Sequence, residues 1–306
     1  MAQRWLRQSK CLAMAMGMRG NASGRFGGAP EAAIAAHIYL SEGRDEALIK
    51  KIASAGTAAA PVINLFVDAA YNRSGVTLAS TSKQDLEAAV TTVCMEALQQ
   101  LDFTAHVAAH PRLGVVDHIA FNPLGSASCE EAADVARAVG LSLGTEIVPA
   151  CEAKGIPVYF YGHAHQDKRP LADLRRSLAY FQGATEGQWK GLPTHVVAAI
   201  AQHPPDVGPL EAAGKSGIAV LGAVPWVHNF NLLLQRADQD MSEEDFFARC
   251  RRIARCVSTR YGCLPAVEAM ALRHEQGIEV ACNLLDIQET SPAMVKNKVE
   301  EEAEKD

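Results

Sequence analysis

Two hydrophobic periods alternate along this chain, and that alternation restricts the fold more than any other feature. Apolar runs of strand length fall at 33–39, 62–69, 76–81, 115–122 and 156–161, with helical spacing between them. A turn at Ser41-Glu42-Gly43-Arg44 feeds a helix through about residue 54. Ser82-Lys83-Gln84-Asp85 has the form of a capping box with Asp in place of Glu, and it opens a helix to about 101. Ser128-Cys129-Glu130-Glu131 caps a further helix expected to run to about 154. The run at 62–69 reads as a buried strand, and the aromatic run at 156–161 as a central one.

Residues 165–216 break the pattern. Gly183, Gly187, Gly191 and Pro204-Pro205-Asp206 predict a short helix followed by loops. A connection that long inside a compact protein usually serves function. Strands are then expected at 217–221, 226–232, 266–272 and 279–285, with a helix at 242–261 and another at the C-terminal end. The fold class is therefore α+β: two units, each a sheet with helices on one face. The boundaries are set at 31–185 for the first unit, 186–216 for the connection and 217–306 for the second. A length of 306 residues gives room for two cores.

Charge narrows the partners. The chain carries 29 basic and 35 acidic side chains, a formal net charge of −6. Residues 1–30 contain Arg4, Arg7, Lys10, Arg19 and Arg25 and no acid, which leaves the remainder more acidic still. An acidic body repels phosphate backbones, so nucleic acid is excluded as the main partner. The aromatic stacking motif of RNA-recognition sheets is missing as well. No apolar stretch approaches the roughly 20 residues of a membrane span. The basic, acid-free start is expected to be an organelle transit peptide, directing the chain to mitochondrion or plastid, or else a disordered extension of a cytoplasmic protein. The eight cysteines form no C-x-x-C pair and are expected to be reduced.

The densest polar cluster is the segment from His106 through His110-Pro111-Arg112-Leu113-Gly114 to Asp117-His118. Pro111 stiffens the backbone after His110, and Gly114 lets the loop turn into the next strand. A histidine so placed, with an unperturbed pKa of about 6.5, suits proton transfer near neutral pH. Arg112 beside it can hold a carboxylate bidentately. Asp68, Tyr71, Asn72 and Arg73 put further polar groups at the end of the 62–69 run. His163 and His165, spaced to share a strand face, raise a zinc reading. No third ligand lies at a spacing typical of zinc, so no metal is expected.

Six ordered blocks resemble the formiminotransferase-domain family. They are Ser41-Glu42-Gly43, the string from His110-Pro111-Arg112 through Gly114 to Asp117, and Pro157-Val158-Tyr159-Phe160-Tyr161-Gly162. Pro205-Asp206-Val207-Gly208-Pro209, then Gly222-Ala223 with Phe230-Asn231, and Asn283-Leu284-Leu285-Asp286 complete the set. The likeness covers about residues 33–300 and is closest to the plant-type formiminotransferase-cyclodeaminase-like proteins. The chain departs from the family pattern at Ala109, at a shortened 68–72 stretch, at 210–216 and at Val224-Pro225. The resemblance implies two ferredoxin-like α/β subdomains separated by a ligand groove, and a homodimer. It also implies transfer of a one-carbon formimino group from N-formiminoglutamate to N5 of tetrahydrofolate. His110 then matches the catalytic general base and acid, with Asp68 orienting it. Arg112, Arg73 and Asn72 stand at the substrate with Asn231, and Gly208, Pro209 and Gly217 belong to the folate loop. Two other readings share that pocket: a folate-binding or carrier protein without turnover, and a related formyl transferase.

Overall fold

In a computed structural model, residues 6–7, 31–148, 153–183, 188–236, 240–274 and 276–305 are described. The chain divides into two compact units, Gly28–Pro225 and Trp226–Asp306, and Leu6–Arg7 goes with the second.

Local signals set the helices of the first unit. Asp45 accepts the Leu48 N–H and starts α1 (Glu46–Ser54). Ser82 accepts the Asp85 N–H and starts α2 (Lys83–Gln100). Ser128 and Glu131 form a full capping box at the head of α3 (Cys129–Thr145), as the spacing predicts. These helices pack Ile49, Ile52, Leu86, Val90, Val93, Val135 and Val139 against one face of a six-stranded sheet.

The strands of that sheet are β1 (Ala33–Leu40), β2 (Val62–Asp68), β3 (Arg73–Ser80), β4 (Val116–Leu124), β5 (Val158–Gly162) and β6 (Ala219–Ala223). Their spatial order is β2-β3-β1-β4-β6-β5. The first four neighbours are antiparallel throughout, so β1-α1-β2-β3-α2-β4 is a complete ferredoxin-like unit. Beyond it β6 pairs parallel with both β4 and β5, setting Val220 opposite His118 and Tyr159. The other face of β5 and β6 is covered by α4 (Leu171–Ser177) and α5 (Thr194–Gln202). Leu174, Val196 and Ile200 there meet Tyr159, Tyr161 and Val220.

Several expectations are corrected. β2 is the sheet's edge and has no fully buried residue, with Ile63 and Phe66 open to solvent, because its apolar run faces no second layer on that side. β5 is wholly buried, yet it is the opposite edge rather than a central strand. The helix expected to reach 154 ends at Thr145, where Gly155 lies against the Gly144 carbonyl. The strand assigned to the second unit near 217–221 is β6, inside the first sheet, so the division falls after Pro225 rather than after 216. The connection also contains α5, which loops alone did not anticipate.

In the second unit, β7 (His228–Leu234), α6 (Glu243–Val257), β8 (Val267–His274), β9 (Gly277–Leu284) and α7 (Pro292–Glu304) follow in sequence. Leu6–Arg7 pairs with the edge of β7, and the antiparallel order continues through β9 to β8. The core joins Leu232, Phe246, Ile253, Val257, Val280, Leu284 and Val295. Cys250 and Cys282 lie in that core, and burial pushes both thiols up to about 12. All six described cysteines are free. The basic segment expected to be an address lies, apart from Leu6–Arg7, outside the described residues.

Candidate functional site

One end of the six-stranded sheet gathers the 41–44, 68–73 and 106–115 motifs and the end of the 208–217 segment. The C-terminal ends of β1 and β2 and the N-terminal ends of β3, β4, β5 and β6 share that end, because Leu40 pairs with Ser74 and Val116 and Ala219 pairs with Val158. The turns 41–44, 68–73, 106–115 and 213–218 therefore meet there.

Hydrogen bonds stitch those turns together. Ser41 donates its N–H to Val115 O at 3.0 Å and its hydroxyl to Gly114 O at 2.5 Å. The Val115 N–H goes to Ser216 O at 2.8 Å and the Ile218 N–H to Leu113 O at 3.0 Å. Gly114 and Gly217 form an isolated bridge, and a Cβ on Gly217, at φ +68°, would fall 2.3 Å from Leu113 O. Glycine at 217 thus lets the 208–217 segment dock on the His110 loop. Gly43 is equally constrained: its N–H reaches Asn72 Oδ1 at 3.0 Å, and a Cβ there would strike Asp68 O.

His110 is half-buried, its ring between Tyr71 (centroids 5.7 Å apart) and Tyr180 (6.5 Å). Its Nδ1 lies 2.8 Å from Pro111 O. A carbonyl can only accept, so Nδ1 carries the proton and Nε2 is left as the basic lone pair. Burial, then the charges of Arg73 and Arg112, hold this imidazole well below the usual histidine pKa. The ring is consequently neutral at pH 7, rather than about a quarter protonated as an unperturbed pKa implies.

Arg112 is 4% exposed. Its Nε donates to Ser41 Oγ at 3.0 Å, and its Nη1 pairs with Asp117 at 3.2 Å. Asp117 also accepts the Leu113 N–H at 2.6 Å, so one carboxylate fixes both the arginine and the loop backbone. Arg112 Nη2 is buried with no partner. Arg73 forms a loose ion pair with Asp68 at 3.5 Å and lies over the Tyr71 ring, 5.0 Å from its centroid. Arg175, from α4, lies over Tyr180 at 4.6 Å. Its charge acts on His110, Arg112 and His118.

Other predicted site residues take different roles. The orienting contact expected of Asp68 belongs to Pro111 O, and Asp68 instead holds Arg73 and the Tyr71 N–H. Asn72, at φ +44°, is committed to the protein: besides Gly43 it meets Val107 O at 3.2 Å and His106 Nδ1 at 3.4 Å. It is a clamp between turns. Gly208, at φ +94°, packs against Ile156 O and Gly144 where β5 begins, with Pro209 following. Asn231 lies in the second unit on β7, its amide 3.3 Å from Glu279. His163 and His165 fall beyond the end of β5 and take different partners, Glu130 for the first and Asp206 for the second. Among the described residues, no three His, Cys, Asp or Glu side chains converge as a metal site.

Tyr180, Arg175 and Tyr71 are the site residues that sequence reasoning passed over as ligands. Tyr180 carried no motif, being brought to His110 only by the turn that follows α4.

Four histidine rings, buried or half-buried, share a consequence. His37, beside Thr77, and His106, stacked on Phe103, are both lowered to about 4, chiefly by burial, and His110 and His118 are lowered too. Each binds its proton less readily in the folded chain than in the unfolded one. Stability is therefore full above about pH 6.5 and falls as pH drops toward 4. At pH 5, His37 and His106 should each cost about 2 kcal/mol relative to pH 7. Urea midpoints measured at the two pH values check this.

The sheet carries this charged, glycine-pinned turn cluster on a ferredoxin-like scaffold. Comparison with known proteins agrees: the family model "Formiminotransferase domain, N-terminal subdomain" matches residues 33–224, nearly the extent of the first unit. The chain belongs to the formiminotransferase-domain family. It is 35% identical to the formiminotransferase cyclodeaminase-like protein of Arabidopsis thaliana, over 86% of this chain and 85% of that protein. It is 28% identical to the glutamate formimidoyltransferase of Thermoplasma acidophilum, over 82% and 76% respectively. The formimidoyltransferase-cyclodeaminase of Sus scrofa is also 28% identical, over 82% of this chain and 43% of that longer protein.

Proposed function

We propose that this chain is a transferase that moves a formimino group from N-formiminoglutamate to N5 of tetrahydrofolate, with His110 as the proton carrier. The family match and the formimidoyltransferase relatives support the reaction class. The observation that carries the residue assignment is the tautomer of His110. Its proton sits on Nδ1 against Pro111 O, so Nε2 is a ready acceptor at neutral pH.

Tetrahydrofolate, when bound, supplies the nitrogen nucleophile. Residues 208–217 are the segment expected to hold it, and their docking on Gly114 through Gly217 keeps them next to the His110 loop. His110 Nε2 takes the proton released as the new C–N bond forms. The same proton must reach the glutamate nitrogen as the old C–N bond breaks. The arginines set the timing. Arg73, Arg112 and Arg175 oppose a charged imidazole in the free protein. A bound carboxylate offsets those charges and raises the proton affinity of the ring. His110 can then hold the proton until the leaving nitrogen accepts it. Positioning and charge supply the rate enhancement in this arrangement.

The test is glutamate release by purified protein supplied with both tetrahydrofolate and N-formiminoglutamate. Release that needs both compounds supports the reading. Tight folate binding with no release would make the chain a carrier instead.

A further inference from the structure

We propose that Arg112 Nη2 and Tyr180 Oη form a carboxylate-binding subsite beside His110, the place where an amino-acid-type donor anchors its acid group. The inference rests on the transferase reading and names part of its donor site.

Both atoms are buried donors without a partner, on side chains whose residues are 4% and 3% exposed. A guanidinium N–H and a phenol O–H left unpaired indoors are costly, and a protein seldom retains two in one place without a ligand to satisfy them. The other two nitrogens of Arg112 each have a partner. Its Nε is held by Ser41 and its Nη1 by Asp117, which fixes the plane of the fork and leaves Nη2 to face a third acceptor.

Tyr180 is placed with equal care. Ala179 adopts a left-handed backbone at φ +55°, a conformation that alanine takes only at a cost. That turn closes α4 through Tyr180 N–H to Arg175 O at 2.9 Å and Ala179 N–H to Arg176 O at 3.0 Å. The Tyr180 ring is then set edge-on to His110 and capped by Arg175. Burial keeps its phenol protonated, so it can donate.

The local charge favours an anion. Asp117 and Asp68 are bound to Arg112 and Arg73, and the charges of Arg73, Arg112 and Arg175 all act on His110 beside the subsite. A carboxylate has the acceptor geometry for one guanidinium N–H and one hydroxyl. No bond is made or broken at this subsite.

Titration calorimetry with glutarate, and with glutaramide as the uncharged control, tests the subsite. The wild-type protein should bind glutarate and not glutaramide. Tyr180→Phe, which removes one oxygen atom, should weaken glutarate about tenfold with the melting temperature kept. It should also raise the KM for N-formiminoglutamate while leaving the KM for tetrahydrofolate unchanged. Arg112→Lys should act in the same direction, and Tyr180→Phe decides the matter alone if the lysine variant does not fold. Equal glutarate binding by wild type and Tyr180→Phe, or none by the wild type, overturns the subsite. Normal turnover with an unchanged donor KM in Tyr180→Phe removes the subsite and keeps the transferase. Tyr180-dependent glutarate binding in a protein that never releases glutamate keeps the subsite and removes the transferase.

Discussion

Replacing His110 by alanine is expected to lower formimino transfer by about 10²–10⁴-fold, the usual contribution of a positioned proton carrier. The loss should appear in kcat, because the ring handles a proton rather than anchoring a substrate. Stability should fall as well, since the ring packs between Tyr71 and Tyr180, so the rates are compared well below the variant's melting transition. Initial rates of glutamate release from both proteins, with melting curves alongside, measure this. The wild-type pH profile gives a second check. Burial and then Arg73 and Arg112 hold His110 well below its usual pKa, so the base stays available below pH 6.5. The acid limb of kcat/KM should therefore lie below that of a free imidazole. A variant within threefold of wild type would remove His110 from the reaction.

The largest stability effect is expected at Asp117. Asp117→Asn keeps the shape and an acceptor for the Leu113 N–H, but it removes the countercharge of Arg112. With both side chains inside, an uncompensated guanidinium should cost about 3–5 kcal/mol. For a chain of this size that corresponds to a melting temperature lower by roughly 10 °C. Calorimetry on the variant checks the figure. The double variant Arg112→Met with Asp117→Leu removes both charges and should recover most of the stability while abolishing transfer. Failure to recover would mean that the pair's hydrogen bonds to Ser41 and Leu113, rather than its charges, hold the loop.

The site was legible where one short segment contained both the chemistry and its support. His110, Pro111 and Arg112 with Gly114 read directly as a stiffened loop, and Asp117 completed the motif. Helix starts at Ser82 and Ser128 were equally readable, because a cap is a local hydrogen bond. Long-range partners were not. Tyr180 lies seventy residues from His110 and reaches it through a left-handed turn at an alanine, where sequence leads one to expect glycine. Asn72 looked like a ligand because it is polar at a strand end, whereas its amide is used up by three backbone and ring partners. β2 read as buried because its residues are apolar, and only sheet order reveals an edge. β6 was assigned to the wrong unit for a similar reason: parallel insertion between two earlier strands leaves no mark on neighbouring residues.

That insertion has a consequence for how the chain emerges during synthesis. The strands β1 to β4 with their two helices can close as soon as residue 124 is clear of the ribosome. The free side of β4 then waits for a partner made almost a hundred residues later. Until Ala219–Ala223 arrives, β4 and β5 both present bare backbone, the kind of surface on which nascent chains stick to one another. Translation speed across the intervening stretch, and chaperone cover for it, should therefore govern the yield of this protein more than the strength of its finished core.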